Sequence, residues 1–214
     1  MNAIVKCVLM ATTLAVAANA PSVHAADNPM EYVGVEHNRY LDCLLKSRPS
    51  RNDSLFEPLV ERCGYPGDPR ALEAEYGMLI GALRDGIGAY ELLATYRGLF
   101  TDGEFAFLLR IQWALQDTDD ADLIQTRLGR IQDDALQAVD TTTSGGRAVL
   151  AGLAVARHSA EYWSAHGGAL PAGRKWWEIV AADMVGAVLG SVLPGAGTVG
   201  LSACFSGAVA LSDE

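Results

Sequence analysis

The stretch WWEIVAADMVGAVLGSVLPGAGTVGLSACFSGAVAL, Trp176–Leu211, decides how this chain is organised. From Met184 to Leu211 it holds no charged residue. Leu193-Pro194-Gly195-Ala196-Gly197 reads as a turn between two apolar arms. Small residues recur four apart: Ala182, Gly186 and Gly190 in the first arm, then Ala203 and Gly207, and Ser202, Ser206 and Ala210, in the second. Residues four apart share a helix face, and small ones there let two helix backbones approach closely. The pattern predicts a glycine-zipper helical hairpin over 174–211. Each arm is about 13 residues, short of the ~20 that a single helix needs to cross a bilayer. The hairpin is therefore either buried in the domain or turned toward a protein partner or a membrane surface through Gly186, Gly190 and Gly207. Asp183 is read as an anion near the start of the first arm, where the helix dipole favours it.

Upstream of the tail, helix punctuation is dense. Asn28-Pro29-Met30-Glu31 has the form of a capping box with Pro at the first helical position, and Val33, His37, Leu41, Leu44 and Leu45 follow at helical spacing to about Lys46. Ser54 is placed to cap a short segment ending at Cys63-Gly64. Asp68-Pro69 starts a helix carrying Leu72, Tyr76, Leu79, Ile80 and Leu83, which Gly86 and Gly88 should interrupt before Tyr90-Glu91-Leu92-Leu93. Thr101-Asp102-Gly103-Glu104 is a second capping box. The Phe105–Gln116 run after it is apolar almost all round, which predicts a central, buried helix. Asp119, Asp120 and Asp122 open a helix carrying Leu123, Ile124, Leu128, Ile131 and Leu136. Thr141 to Gly146 reads as a linker and cap before a helix from Val149 to His166, stopped by Gly167-Gly168 and Pro171. With no long alternating run of β-branched residues, the expected fold is a single-domain, all-α orthogonal bundle ending in the apolar glycine-rich hairpin.

The first 25 residues predict export. Lys6 precedes an apolar run from Cys7 to Ala18, and Val23-His24-Ala25 ends the segment with a small residue at the cleavage position. Cleavage after Ala25 leaves one domain over 26–214, periplasmic or secreted. The segment carries one lysine and no acid, so the balance of −10 becomes −11. An acidic surface excludes nucleic acid as a partner class and repels anionic lipid. Cys43 and Cys63, 20 apart, are expected to form a disulfide in an oxidising compartment. Cys204, in the apolar tail, is expected as a packed free thiol.

Candidate chemistry is sparse. His158, Glu161 and Tyr162 share a helix face, and a metal site there would need a third ligand such as Glu36 or His37. The plainer expectation is a histidine bonded to the carboxylate at i+3, with neither a metal nor a cofactor assigned. Glu31, Glu36, Glu73, Glu75, Glu91, Glu104 and Glu161 are all available for carboxylate-pair catalysis, so none is singled out. No nucleophile elbow, P-loop or dinucleotide fingerprint occurs. Trp163, Trp176 and Trp177 are read as helix-packing aromatics or as an interfacial belt.

The chain resembles a group of exported bacterial helical proteins without an assigned activity. The resemblance lies in N-P-M-E-Y-V-G-V-E-H-N at Asn28–Asn38 (pattern N-P-x-x-x-V-G-x-x-H-N), in A-R-H-S-A-E-Y-W at Ala156–Trp163, and in the W-W…D-M-V-G-A-V-L-G tail from Trp176. It implies one architecture joining these three segments. It also implies that His37, Asn38, His158 and Tyr162 meet, as a polar pocket or as a network locking the first helix to the late one. The function expected from all this is binding or interaction in the cell envelope or outside the cell, with the hairpin as contact element. The alternatives are a cell-envelope hydrolase using a carboxylate pair, or a periplasmic inhibitor or immunity-type protein.

Overall fold

The computed structural model describes residues 27–50, 53–166, 175–195 and 197–211. The expected signal segment 1–25 and the expected Gly167-Gly168 and Pro171 helix stop lie outside the described residues. Among the described residues all regular structure is helical: α1 (Glu31–Lys46), α2 (Phe56–Glu61), α3 (Pro69–Arg84), α4 (Ala89–Thr95), a 3-10 turn (Arg97–Leu99), α5 (Asp102–Gln116), α6 (Ala121–Ala138), α7 (Ser144–His166), α8 (Trp176–Val192) and α9 (Thr198–Ala210).

Local capping chemistry sets most of these boundaries. Asp68 accepts from the Arg70 amide at 2.9 Å, with Pro69 as the first residue of α3. Thr101 and Glu104 form the reciprocal box that opens α5, each side chain accepting from the other's amide. Asp120 accepts from the Leu123 amide at 3.1 Å to open α6. Gly86, at φ 91°, ends α3 in a conformation that costs a glycine little. Two starts differ from the sequence expectation. Glu31 closes no capping box, because its carboxylate reaches across to His158; Asn28 instead accepts from the Met30 amide at 2.9 Å. Helix α7 begins at Ser144 rather than Val149, because Thr143 Oγ1 accepts from the Gly146 amide at 2.9 Å and caps the turn earlier.

The centre of the molecule is α8. Every residue from Ile179 to Gly190 is buried, with α7 and α9 packed along it and α4 and α5 against it. Helix α1 lies on α7 and α9, α6 on α7, and α3 on α9. A Cβ at Gly186 would stand 2.6 Å from Ser202 Cα, and one at Gly190 would stand 2.7 Å from Gly197 O. The opposing atoms are backbone, so α8 and α9 approach as closely as they do only because those positions lack side chains.

Helix α5 does not take the central place its composition suggested. It buries only Glu104, Leu108, Ile111, Ala114 and Leu115, and Trp113 is 64 % exposed. Its outer aromatics are covered from their own neighbourhood: the Arg97 guanidinium lies 4.7 Å over Phe105 and that of Arg110 lies 5.0 Å over Phe107. Small residues, which permit close approach on all sides, put α8 inside instead.

Cys43 at the end of α1 is joined to Cys63 after α2 by a disulfide closing a separation of 20 residues. Cys204 is free and buried. Loop closure of this length restricts the unfolded chain by ~3 kcal/mol.

Gly186→Leu should lower unfolding free energy by about 1–3 kcal/mol through over-packing against backbone. Gly81→Ala, where nothing lies within 4 Å of the added carbon, should instead raise it by up to about 1 kcal/mol through helix propensity. Urea titrations of the two variants give the comparison; equal effects would remove the close-approach argument.

Candidate functional site

The segment Asn28–Asn38 turns Asn28, Val33, Gly34 and His37 inward. Asn28 is 4 % exposed and donates to Leu150 O at 2.9 Å and to Gln132 Oε1 at 3.1 Å. Val33 is fully buried against Ala151, Val155 and Ala187. A Cβ at Gly34 would collide with the His158 ring and the Ala154 carbonyl, so α1 rests directly on the α7 backbone. One turn on, Asn38 Nδ2 donates to His158 O at 2.9 Å. Asn28, Val33, Gly34 and Asn38 are thereby used in docking this segment onto α7.

His37, on the same face, reaches further in. Its Nδ1 lies 2.9 Å from Ser202 Oγ on α9. Ser202 commits its own hydrogen to Val199 O at 2.9 Å, so its oxygen is left to accept from the imidazole. His37 Nε2 stands 3.3 Å from Asp183 Oδ2 on α8, at ion-pair distance but off the axis of a hydrogen bond. The same carboxylate oxygen accepts from Ser159 Oγ and, at 3.3 Å, from Trp163 Nε1, both on α7. His37, Asp183, Ser159 and Ser202 are all completely buried. Asp183 sits in the middle of α8 and not at its start, so hydrogen bonds from α7, rather than the helix dipole, satisfy its carboxylate.

Ser202, His37 and Asp183 are the residue types of acyl-transfer catalysis. The geometry does not support that chemistry. The hydroxyl gives its proton to a main-chain carbonyl rather than to the imidazole, and a nucleophile without accessible surface meets no substrate. The cluster is a polar knot tying α1, α7, α8 and α9 together.

The four residues expected to meet do so only in part. Asn38 and His158 join through a main-chain carbonyl, while His37 turns to α8 and α9. His158 bonds Glu31 at 2.8 Å rather than the expected Glu161 at i+3. Glu31 lies 3.7 Å from Arg157, which also donates to Gln132 at 3.2 Å. Tyr162 stacks on His166 at 4.4 Å and meets Trp163 edge-on at 5.3 Å; burial, then the nearby Asp42 carboxylate, raises its phenol above the ordinary range. Glu36 pairs with Arg39 at the surface, far in character from the buried His37. Gly186, Gly190 and Gly207, for which the sequence leaves both a buried and a partner- or membrane-facing placement open, are buried here; Gly207 faces Leu44 and Leu55.

Open cavities lie elsewhere. One, of about 610 Å³, runs between α5 and α6 and is lined by Arg110, Trp113, Gln116, Asp117, Arg127 and Arg130, among others. Another, of about 530 Å³, between α2 and α3, has Glu57, Glu61 and Glu73 on its wall. Sequence reasoning missed the first; the signal was there in Arg110-x-x-Trp113 and Arg127-x-x-Arg130, two pairs at helical i, i+3 spacing. Among the described residues no helix is long and apolar enough to cross a membrane. No family model matches the chain, and neither the curated proteins nor the solved structures contain a significant match.

Removing one member of the knot leaves buried polar groups without partners. Asp183→Asn or His37→Ala should each cost roughly 3–5 kcal/mol, whereas His37→Leu with Asp183→Leu should cost less than the sum of the two single Leu changes. A double-mutant cycle by denaturant unfolding measures the difference, and strict additivity would remove the pair. Burial also raises the Cys204 thiol far above its ordinary range, so below that range it stays protonated and unreactive. Iodoacetamide at mildly alkaline pH should label Cys204 only after denaturation, as mass spectrometry would show; labelling of the folded protein would overturn the buried placement.

Proposed function

We propose that this is an exported, non-enzymatic binding protein of the cell envelope or the extracellular space, in which the glycine-spaced α8–α9 hairpin is the core and not the contact surface. The observation that carries the reading is the inward placement of Gly186, Gly190 and Asp183, each opposed by backbone or by buried donors. A hairpin that served as an exposed contact would leave Asp183 without those donors, and an unpaired buried or membrane-embedded carboxylate is expensive. Export is supported by the signal-type start, and the Cys43–Cys63 disulfide fits an oxidising compartment. The absence of an accessible nucleophile in the Ser202–His37–Asp183 cluster favours binding over acyl-transfer chemistry.

A second reading, a hydrolase working through paired carboxylates, has one observation in its favour. Glu57, Glu61 and Glu73 share a cavity, and Ser54 donates to Glu73 at 2.6 Å, which fixes one of the three. It requires release of muropeptides from cell wall that Glu73→Gln abolishes.

Cells expressing the full chain should yield a protein beginning at Ala26 in the periplasmic or secreted fraction, and an alkaline carbonate wash should leave none of it in the membranes. Retention in the washed membranes would make the hairpin the contact element after all. An uncleaved chain in the cytoplasm would remove export.

A further inference from the structure

We propose that the groove between α5 and α6 binds a short acidic saccharide, with Trp113 stacked on a sugar ring and Arg110, Arg127 and Arg130 receiving its carboxylates. The proposal rests on the binding-protein reading and names the ligand class for it.

Trp113 is the starting point. A tryptophan offers a large flat apolar face, and folded proteins bury most of it. Here it is 64 % exposed on the wall of the groove. Arg110 stands one turn before it on α5, and Arg127, Arg130 and Asp134 follow one another at three- and four-residue spacing on the facing side of α6. Two of the three guanidiniums are held in position. Arg110 pairs with Asp134 on α6, and Arg127 pairs at 2.9 Å with Asp117, just past the end of α5. These contacts cross between the two helices and set where the two guanidiniums rest. Arg130 is different. It has Asp133 and Asp134 at i+3 and i+4, yet among the described residues its side chain makes no ion pair or hydrogen bond, and Asp134 is engaged by Arg110.

The charge at the groove departs from the rest of the chain. Arg110, Arg127 and Arg130 stand against Asp117, Asp133 and Asp134, a local balance near zero on a protein whose net charge is −10. A short anion can occupy such a site, while a long polyanion meets the repulsion of the remaining surface. All three cations are arginines, whose planar forks suit a carboxylate bidentately. Exposed ion pairs of the Arg110 and Arg127 kind are held weakly, so a ligand carboxylate can share their donors. The volume of about 610 Å³ falls in the range of ligand sites, roughly 300–1,000 Å³. The groove is nevertheless open along its length, with Gln116 and Asp117 beside the tryptophan. That form suits a chain laid across it, ring on indole and hydroxyls on polar side chains, better than a compact apolar molecule that needs enclosure.

Calorimetric titration of the mature protein at low salt tests this with three probes: tetragalacturonate, the neutral glucan cellotetraose, and tetraglutamate as an acidic chain without sugar rings. The uronate should bind saturably, and roughly tenfold or more tighter than either other probe. Trp113→Ala and Arg130→Gln should each weaken it roughly tenfold or more while leaving the melting temperature in place, since both side chains are exposed. Absence of saturable uronate binding overturns the proposal, as does equal binding of cellotetraose or of tetraglutamate, or binding unchanged in both variants. These failures are separable from failure of the binding-protein reading: a protein that is exported and leaves the membrane on carbonate washing, but ignores the uronate, loses only this ligand class.

Discussion

One carboxylate constrains the whole molecule. Asp183 lies without solvent contact in the middle of α8, and from the next residue to Leu211 the chain offers no other charge. A carboxylate in that position is tolerable only if donors are brought to it, and they come from α7, as Ser159 and Trp163, while the His37 ring of α1 lies against it at 3.3 Å. Through His37 the constraint extends to Ser202 on α9. Apolar packing alone is indifferent to small slips in helix register. A carboxylate that must meet particular donors is not, and here it selects one rotation and one register for four helices at once.

The glycines make that arrangement sterically possible. For His37 to reach both α8 and α9, α1 must lie low on α7, and Gly34 provides this by standing where a side chain would strike the Ala154 carbonyl and the His158 ring. For Ser202 to stand beside His37, α9 must lie against α8, and Gly186 faces the Ser202 backbone directly. The small residues and the polar knot are two halves of one device. The glycines set interhelical distance, the knot sets register, and neither would specify the fold without the other.

What could be read in advance follows from the range of the interactions involved. The caps at Asp68, Thr101 and Asp120 are contacts within three residues, and the sequence states them openly. The close pairing of small residues in the tail is also periodic and local in each arm. Asn28 and Glu31 have the spacing of a capping box, yet the Asn28 amide nitrogen and the Glu31 carboxylate reach α6 and α7, at least 104 residues away in the chain. Asp183 was read as a dipole partner because nothing local reveals that Ser159, Trp163 and His37 converge on it. Helix α5 looked central because hydropathy does not register arginines folded over Phe105 and Phe107. The first two of these differences share a cause: long-range polar contacts leave no period in the sequence.

The division of polar residues also explains where function can reside. The buried set is consumed: His37, Ser159, Ser202 and Trp163 each have their donors directed at a partner inside the knot or at the main chain, and any use of them in chemistry would have to break the packing of four helices. The outer helices carry no comparable debt. Helix α5 can leave Trp113 in water, and α6 can leave the Arg130 side chain without a partner among the described residues, because neither is needed to hold α7, α8 or α9 in place. A rigid interior tied by Asp183 and an exterior with uncommitted aromatic and cationic groups suits the binding role proposed above, since recognition requires groups whose bonding capacity the fold has not already used.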